Sequence, residues 1–180
     1  SLNCFSLFVR FINDKIFSWK TLTEELELRI HFRECEQRTS DYIESRVGDY
    51  RINNPMDEIQ QRIIFKVIET GGDEKSNFIS DFIELRMKDI KCKDIDEEME
   101  VRKILLEHEI HSNSYIESRI TEFNFKGGEL LDRLNSEVAI RMTLEEISKY
   151  VSNKINEKYD FWINTGFEVK TLDEELEARY

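Results

Sequence analysis

Three short runs set carboxylates and a cation at one fixed spacing: Glu25/Glu27/Arg29, Glu98/Glu100/Arg102 and Glu175/Glu177/Arg179. On an extended chain, alternating Glu residues share a face and offer hard oxygen ligands to a divalent cation. A cation held there could polarise a phosphoryl group. A second cluster, Glu107-His108-Glu109-Ile110-His111, puts two imidazoles three residues apart, a spacing that can still bind metal on a helix. It is one residue short of the His-Glu-x-x-His of zinc proteases, and no third ligand is evident. His31 has no partner, and the scattered Ser and Cys assemble no nucleophilic triad. Gly71-Gly72 and Gly127-Gly128 lack the flanking Gly-Lys of a phosphate loop and read as helix breaks. No catalytic residue, cofactor or metal site is expected.

The Glu-x-Glu-x-Arg runs resemble the Glu-x-Glu-x-Lys motif of the triphosphate tunnel phosphohydrolases. That resemblance implies a metal-holding barrel strand and metal-dependent cleavage of a triphosphate. It extends over five residues at a time, and the chain has no Arg-x-Arg or Lys-x-Arg pair to line such a tunnel.

The same runs belong to a larger repetition. Tyr42-Ile43-Glu44-Ser45-Arg46-Val47 returns as Tyr115-Ile116-Glu117-Ser118-Arg119-Ile120, and Lys20–Arg29 returns as Lys93–Arg102 at the same offset of about 73 residues. Lys170–Arg179 opens a further copy. Inside this block an aromatic-Ile-acidic-x-basic pattern recurs at Tyr42–Arg46, Phe82–Arg86 and Tyr115–Arg119. Degenerate forms stand at Phe11–Lys15 and Lys154–Lys158. Successive copies lie roughly 31 to 40 residues apart, the length of a helical-hairpin repeat.

Helix starts are marked by Thr21-x-x-Glu24, Asp94-x-x-Glu97, Thr143-x-x-Glu146 and Thr171-x-x-Glu174, each a capping-box pattern, and by Asn54-Pro55. Asp41, Asp81 and Ser114, each three before a Glu, begin a second helix in each unit. Met56, Ile59, Ile63, Ile64, Val67 and Ile68 make one helical stripe, and Leu131, Leu134, Val138 and Met142 another. The expected helices are about 21–38, 41–52, 55–70, 73–91, 94–111, 114–125, 128–142 and 143–163. One alternative stands beside them. Leu26, Leu28, Ile30 and Phe32 alternate with polar residues, and the Glu-x-Arg pairs stand two apart. Both are strand periods, which would make an antiparallel sheet or barrel.

The expected architecture is therefore all-α. Two copies of the block, 20–92 and 93–169, form a bundle or short solenoid, with a segment 1–19 before them and a tail 170–180. The residues expected to set the register or face a partner are Arg29, Glu44, Arg46, Glu84, Arg86, Arg102, Glu117 and Arg119, with the junction aromatics Trp19, Tyr50, Phe123 and Trp162.

Composition narrows the function. The chain has 180 residues, a formal net charge of −12 and a sequence pI near 4.8. With no basic cluster, such a surface repels nucleic-acid phosphates and anionic membranes. Direct nucleic-acid or membrane binding is not expected, although an acidic mimic of nucleic acid is a third possibility. Cys4, Cys35 and Cys92 are odd in number and widely separated, which suits free thiols in a reducing, cytoplasmic setting. The apolar stretch Leu2–Ile12 is too short to span a bilayer. The expectation is a non-enzymatic scaffold or assembly protein that binds another protein, with self-association through its terminal unit.

Overall fold

The computed structural model describes residues 21–72, 76–125 and 127–180, with side chains throughout except at Glu25, Leu28 and Asn153. Every regular element among them is helical, apart from turns. The order is α1 (Leu22–Gln37), α2 (Asp41–Arg46), α3 (Pro55–Thr70), α4 (Asp81–Met87), α5 (Ile95–Ile110), α6 (Ser114–Ile120), α7 (Leu130–Ser148), α8 (Asn153–Asn164) and α9 (Leu172–Arg179). This overturns the strand alternative. Leu26, Leu28, Ile30 and Phe32 lie within α1, and every described Glu-x-Arg pair is helical.

The starts follow local chemistry. Thr21 accepts from the Glu24 amide at 3.2 Å while the Glu24 carboxylate accepts from the Thr21 amide at 3.1 Å, a reciprocal box. Asp94 and Thr171 cap the Glu97 and Glu174 amides, and Asn54 caps Asp57 ahead of Pro55. Two caps fall one residue earlier than the sequence suggests: Ser40 caps α2 and Asn113 caps α6. Thr143 is not a cap. It lies inside α7 and its hydroxyl donates back to the Ala139 carbonyl, so one continuous helix replaces the break expected at 142/143. The helix expected over 73–91 contracts to α4 within the described residues.

The chain divides into two compact units. One comprises residues 1–80 and 90–99, the other 81–89 and 100–180. In the first, α1 and α2 both pack on α3. In the second, α6 and α9 both pack on α7, and α9 also touches α8. The long helices bury an unexpected set of residues. In α3 these include Ile59, Arg62, Phe65 and Ile68, whereas Met56 and Ile63 of the anticipated stripe are exposed. In α7 they include Leu134, Glu137, Arg141, Leu144 and Ile147, and Met142 is exposed. In α5 they include Val101, Arg102, Leu105 and His108. The buried stripe thus runs through an arginine, which displaces it from the stripe drawn through apolar residues alone.

Gly71 ends α3 in the left-handed region, with φ 73°. A Cβ there would fall 1.9 Å from the Ser76 carbonyl oxygen. Gly71→Ala is expected to cost about 1 to 3 kcal/mol from backbone strain alone, with the clash adding to it. Urea unfolding of the variant beside wild type measures this.

Candidate functional site

The site is a recurrent cluster of buried charge between a short helix and the long helix that follows it. Six- and seven-residue helices do not persist alone, so α2, α4 and α6 need outside contacts. Each buries one isoleucine completely: Ile43, Ile83 and Ile116. Each then offers a glutamate to a long-helix arginine. Glu44 accepts from Arg62 at 2.7 Å, Glu84 from Arg102 at 2.7 Å and Glu117 from Arg141 at 2.6 Å. The three arginines are at most 1% exposed.

A guanidinium taken out of water must be paired and hydrogen-bonded. The long helix supplies a second carboxylate one turn earlier. Arg62 donates from Nε to Glu58 and Arg141 from Nε to Glu137, both at 2.9 Å. A third acceptor is the backbone at the end of the preceding long helix: the Arg38 carbonyl for Arg62 and the His111 carbonyl for Arg141. The planar fork of arginine meets all of these at once, which a lysine ammonium cannot do in one plane. In α9 the same geometry returns with an amide in the short-helix position. Arg179 donates to Glu175 at 2.8 Å and to Asn156 of α8 at 2.7 Å, its guanidinium 4.0 Å from the Tyr159 ring centre.

A second arginine, the basic residue of the short helix, reaches forward to a later long helix. Arg46 grips Glu98 with bonds of 2.9 and 2.8 Å, Arg86 meets Glu137 at 2.7 Å, and Arg119 meets Glu175 twice at 3.1 Å. Tyr50 adds a hydroxyl to Glu98 at 2.6 Å. That bond and burial push the Tyr50 phenol well above its ordinary value, burial being the larger cause. Burial works against the charge on Glu137. The Arg86 hydrogen bond and charge, with the Arg141 hydrogen bond, nevertheless hold its carboxyl below the usual range. Glu175 and Glu117 behave alike: burial opposes ionisation, and Arg119 and Arg141 respectively override it.

His108 departs from this pattern. Its position, six after the buried arginine, is Ile68 in α3 and Ile147 in α7, both fully buried. Its Nε2 lies 2.9 Å from the Leu134 carbonyl, an acceptor, so Nε2 carries the proton. Its Nδ1 stands 3.4 Å from Glu137 without a hydrogen bond. Burial holds the imidazole below its ordinary value, although Glu137 pulls the other way and Arg86 and Arg141 oppose protonation. His111, three residues on, turns instead to Glu145 at 2.6 Å, so the two rings do not converge on a shared ligand position.

The expected residues thus divide. Glu44, Arg46, Glu84, Arg86, Arg102, Glu117 and Arg119 all enter the buried pairs, and Tyr50 joins them through Glu98. Phe123 packs with Leu172 and Leu176 on the cluster of Ile116, Ile120, Leu144 and Ile147. Arg29 is exposed on α1, and Trp162 is 44% exposed on α8, stacked edge-on with Phe167. Trp19 lies outside the described residues. Sequence reasoning missed Arg62, Glu98, Glu137, Arg141 and Glu175 as members of the clusters. The missed signal is Glu-x-x-x-Arg, at Glu25/Arg29, Glu58/Arg62, Glu98/Arg102, Glu137/Arg141 and Glu175/Arg179.

The Glu-x-Glu-x-Arg runs do not form an extended carboxylate face. The first Glu of the second and third runs is buried against arginine, while Glu100 and Glu177 are exposed. Cys35 is buried and Cys92 half-buried. Among the described residues no helix is long and apolar enough to cross a membrane. No family model, curated protein or solved structure matches this chain.

Two outcomes follow for the clusters. Arg141→Ala leaves Glu137 and Glu117 short of a partner and is expected to destabilise by about 3 to 5 kcal/mol. Arg141→Lys should recover only part of this in urea unfolding. The second concerns pH. Because the folded His108 resists protonation, the unfolded chain binds more protons below its ordinary value of 6.5. Stability should therefore decline as pH falls from there, before the depressed carboxylates Glu117, Glu137 and Glu175 begin to titrate below 4.5. His108→Ile, the residue of the equivalent positions, should flatten the decline above pH 5. Wild-type stability that rises on acidification from neutrality would overturn the neutral assignment.

Proposed function

We propose that the protein is a non-enzymatic interaction or assembly module built from helical-hairpin repeats, in which the buried Glu–Arg clusters fix the register. One observation carries this reading. Positions inside the clusters keep their chemistry, while their exposed neighbours vary. The buried arginine is constant at Arg62, Arg102 and Arg141, whereas the next residue is Ile63, Lys103 or Met142, all exposed. The residue before the short-helix arginine is Ser45, Leu85 or Ser118, again exposed. A repeat protein separates framework from recognition surface in this way. The carboxylates best placed to bind a cation are instead bound by arginine, and this favours a structural role for them.

The test is capture of a partner protein by the purified chain from cells that express it, repeated with Ile63→Asp and Met142→Asp. These exposed changes should leave stability within about 0.5 kcal/mol yet reduce retention of the same partner at least tenfold. Capture indifferent to both substitutions, or turnover of tripolyphosphate by the chain with a divalent cation, would overturn the proposal.

A further inference from the structure

Two grooves occupy the same place in successive repeats. The first, of about 300 Å³, is lined by Phe123, Phe125, Asp132, Arg133, Ser136 and Ile140 among others. The second, of about 480 Å³, is lined by Trp162, Phe167, Glu168, Lys170, Glu174 and Glu177, with Ala178. Phe123 stands four residues after Arg119, and Trp162 four after Lys158. Ser136 and Ile140 directly precede Glu137 and Arg141 of α7, as Glu174 and Ala178 directly precede Glu175 and Arg179 of α9. Phe123 and Phe125 pack with Leu172 and Leu176 on the cluster of Ile116, Ile120, Leu144 and Ile147, and the first groove stays open with α9 seated beside it. An open groove at this position therefore belongs to the repeat itself.

The two grooves differ in charge. Among the described residues the first sets one carboxylate, Asp132, against one guanidinium, Arg133. The second sets three carboxylates against one ammonium. Lys170 meets Glu168 at 3.4 Å. Glu174 accepts from the Lys170 amide at 2.7 Å, a bond that brings it no cation. Glu177 pairs with no cation among the described residues. Along the same groove the Trp162 and Phe167 rings stand 6.0 Å apart at 63°, forming a corner, and both residues are exposed. A ring beside a carboxylate is how this fold holds its own guanidinium groups. Arg179 lies 4.0 Å from the Tyr159 ring centre and bonds Glu175, and Arg46 lies 5.0 Å from the Phe65 ring centre and bonds Glu98. The second groove offers both kinds of partner. Among the described residues no arginine stacks on Trp162 or Phe167.

We propose that the α8–α9 groove docks an arginine-bearing segment of a partner protein, with the aromatic corner receiving the guanidinium and the surplus carboxylates accepting its hydrogen bonds. The inference rests on the interaction-module reading above and gives the partner a chemistry. A planar guanidinium can stack on a ring and still donate to two carboxylates, which a lysine ammonium does less well. The net charge of −12 steers a basic segment toward the chain and repels nucleic acid and anionic lipid. The first groove, with its described charges balanced, offers no such preference.

Fluorescence anisotropy on the whole chain provides the test. The probe is a labelled decapeptide of alanine and leucine with two central arginines, set beside a twin in which neutral citrulline replaces both. The arginine peptide should bind saturably and at least about tenfold more tightly than the twin, the margin expected of charge-assisted over neutral hydrogen bonds. Raising the salt from about 50 to about 300 mM should weaken it. Trp162→Ala and Glu177→Lys should each cost roughly tenfold, while Trp162→Phe, which keeps a ring, should retain most of the binding. Glu100→Lys makes the same change in net charge at an exposed position of α5 and should leave the affinity within about twofold. If Trp162→Ala misfolds by circular dichroism, Glu177→Lys against Glu100→Lys decides. Equal binding of the citrulline twin, an equal loss with Glu100→Lys, or no saturation by millimolar peptide would overturn the proposal. Self-association of the wild type that Glu177→Lys abolishes would assign the groove to a second copy and overturn it too. A chain that retains its partner through Ile63 and Met142 but ignores the peptide overturns the groove assignment alone and leaves the interaction-module reading standing.

Discussion

A buried guanidinium that must find two carboxylates sets most of the local geometry. Arg62, Arg102 and Arg141 are withdrawn from water, and a charge so placed is tolerated only with close, well-directed partners. One partner, where the contact is within a unit, comes from the same helix one turn earlier. The other comes from a short helix that has too few residues to persist alone. The pairing therefore works in both directions. The arginine is neutralised, and the short helix acquires a position and a rotation, because its glutamate and its buried isoleucine lie on adjacent residues, as Ile43-Glu44, Ile83-Glu84 and Ile116-Glu117. Sliding the short helix by one residue would expose the isoleucine and break the ion pair together.

The forward-reaching arginines add a second restraint of the same kind. Glu137 receives Arg141 from its own helix and Arg86 from α4, and Glu175 receives Arg179 and Arg119. Each carboxylate is thus a shared acceptor, and losing one arginine leaves it half-served rather than free. Energies at such shared groups do not add. The depressed carboxyls are the electrostatic counterpart of this sharing, since two cations outweigh the burial that would otherwise protonate the acid.

How far the fold was legible depends on which physics each residue reports. Caps are local, so Thr21, Asn54, Asp94 and Thr171 could be read directly from adjacent residues. Thr143 could not, because a threonine three before a glutamate has the same pattern whether it starts a helix or sits within one and bonds back to Ala139. The core stripe was misplaced for a related reason. Counting only apolar side chains draws the face of α3 through Met56 and Ile63, whereas the real face passes through Arg62. Treating arginine as a surface residue erased the center of the buried side of α3, α5 and α7. The recurrent Glu and Arg of the short helices were visible because their spacing is repeated, but their partners lie 18 to 56 residues away. Pairing over that distance depends on which helices pack together, which adjacent residues do not reveal. The spacing between short-helix glutamate and long-helix arginine also changes, from 18 residues in the first two cases to 24 at Glu117 and Arg141. The added stretch around Phe123–Gly128 hides the period from any search at a fixed offset.

The arginine requirement also bears on where charge remains for recognition. The chain carries 26 basic and 38 acidic side chains, so cations are the scarcer species. The clusters take up arginines whose guanidinium forks serve several acceptors at once, and lysines remain largely outside, on exposed positions such as Lys103, Lys149 and Lys170. Exposed carboxylates are left in excess, and Glu168, Glu174 and Glu177 stand with the exposed Trp162 along one groove. A partner matched to this surface would meet an apolar contact bordered by negative charge, and basic residues around its own apolar center would favour it.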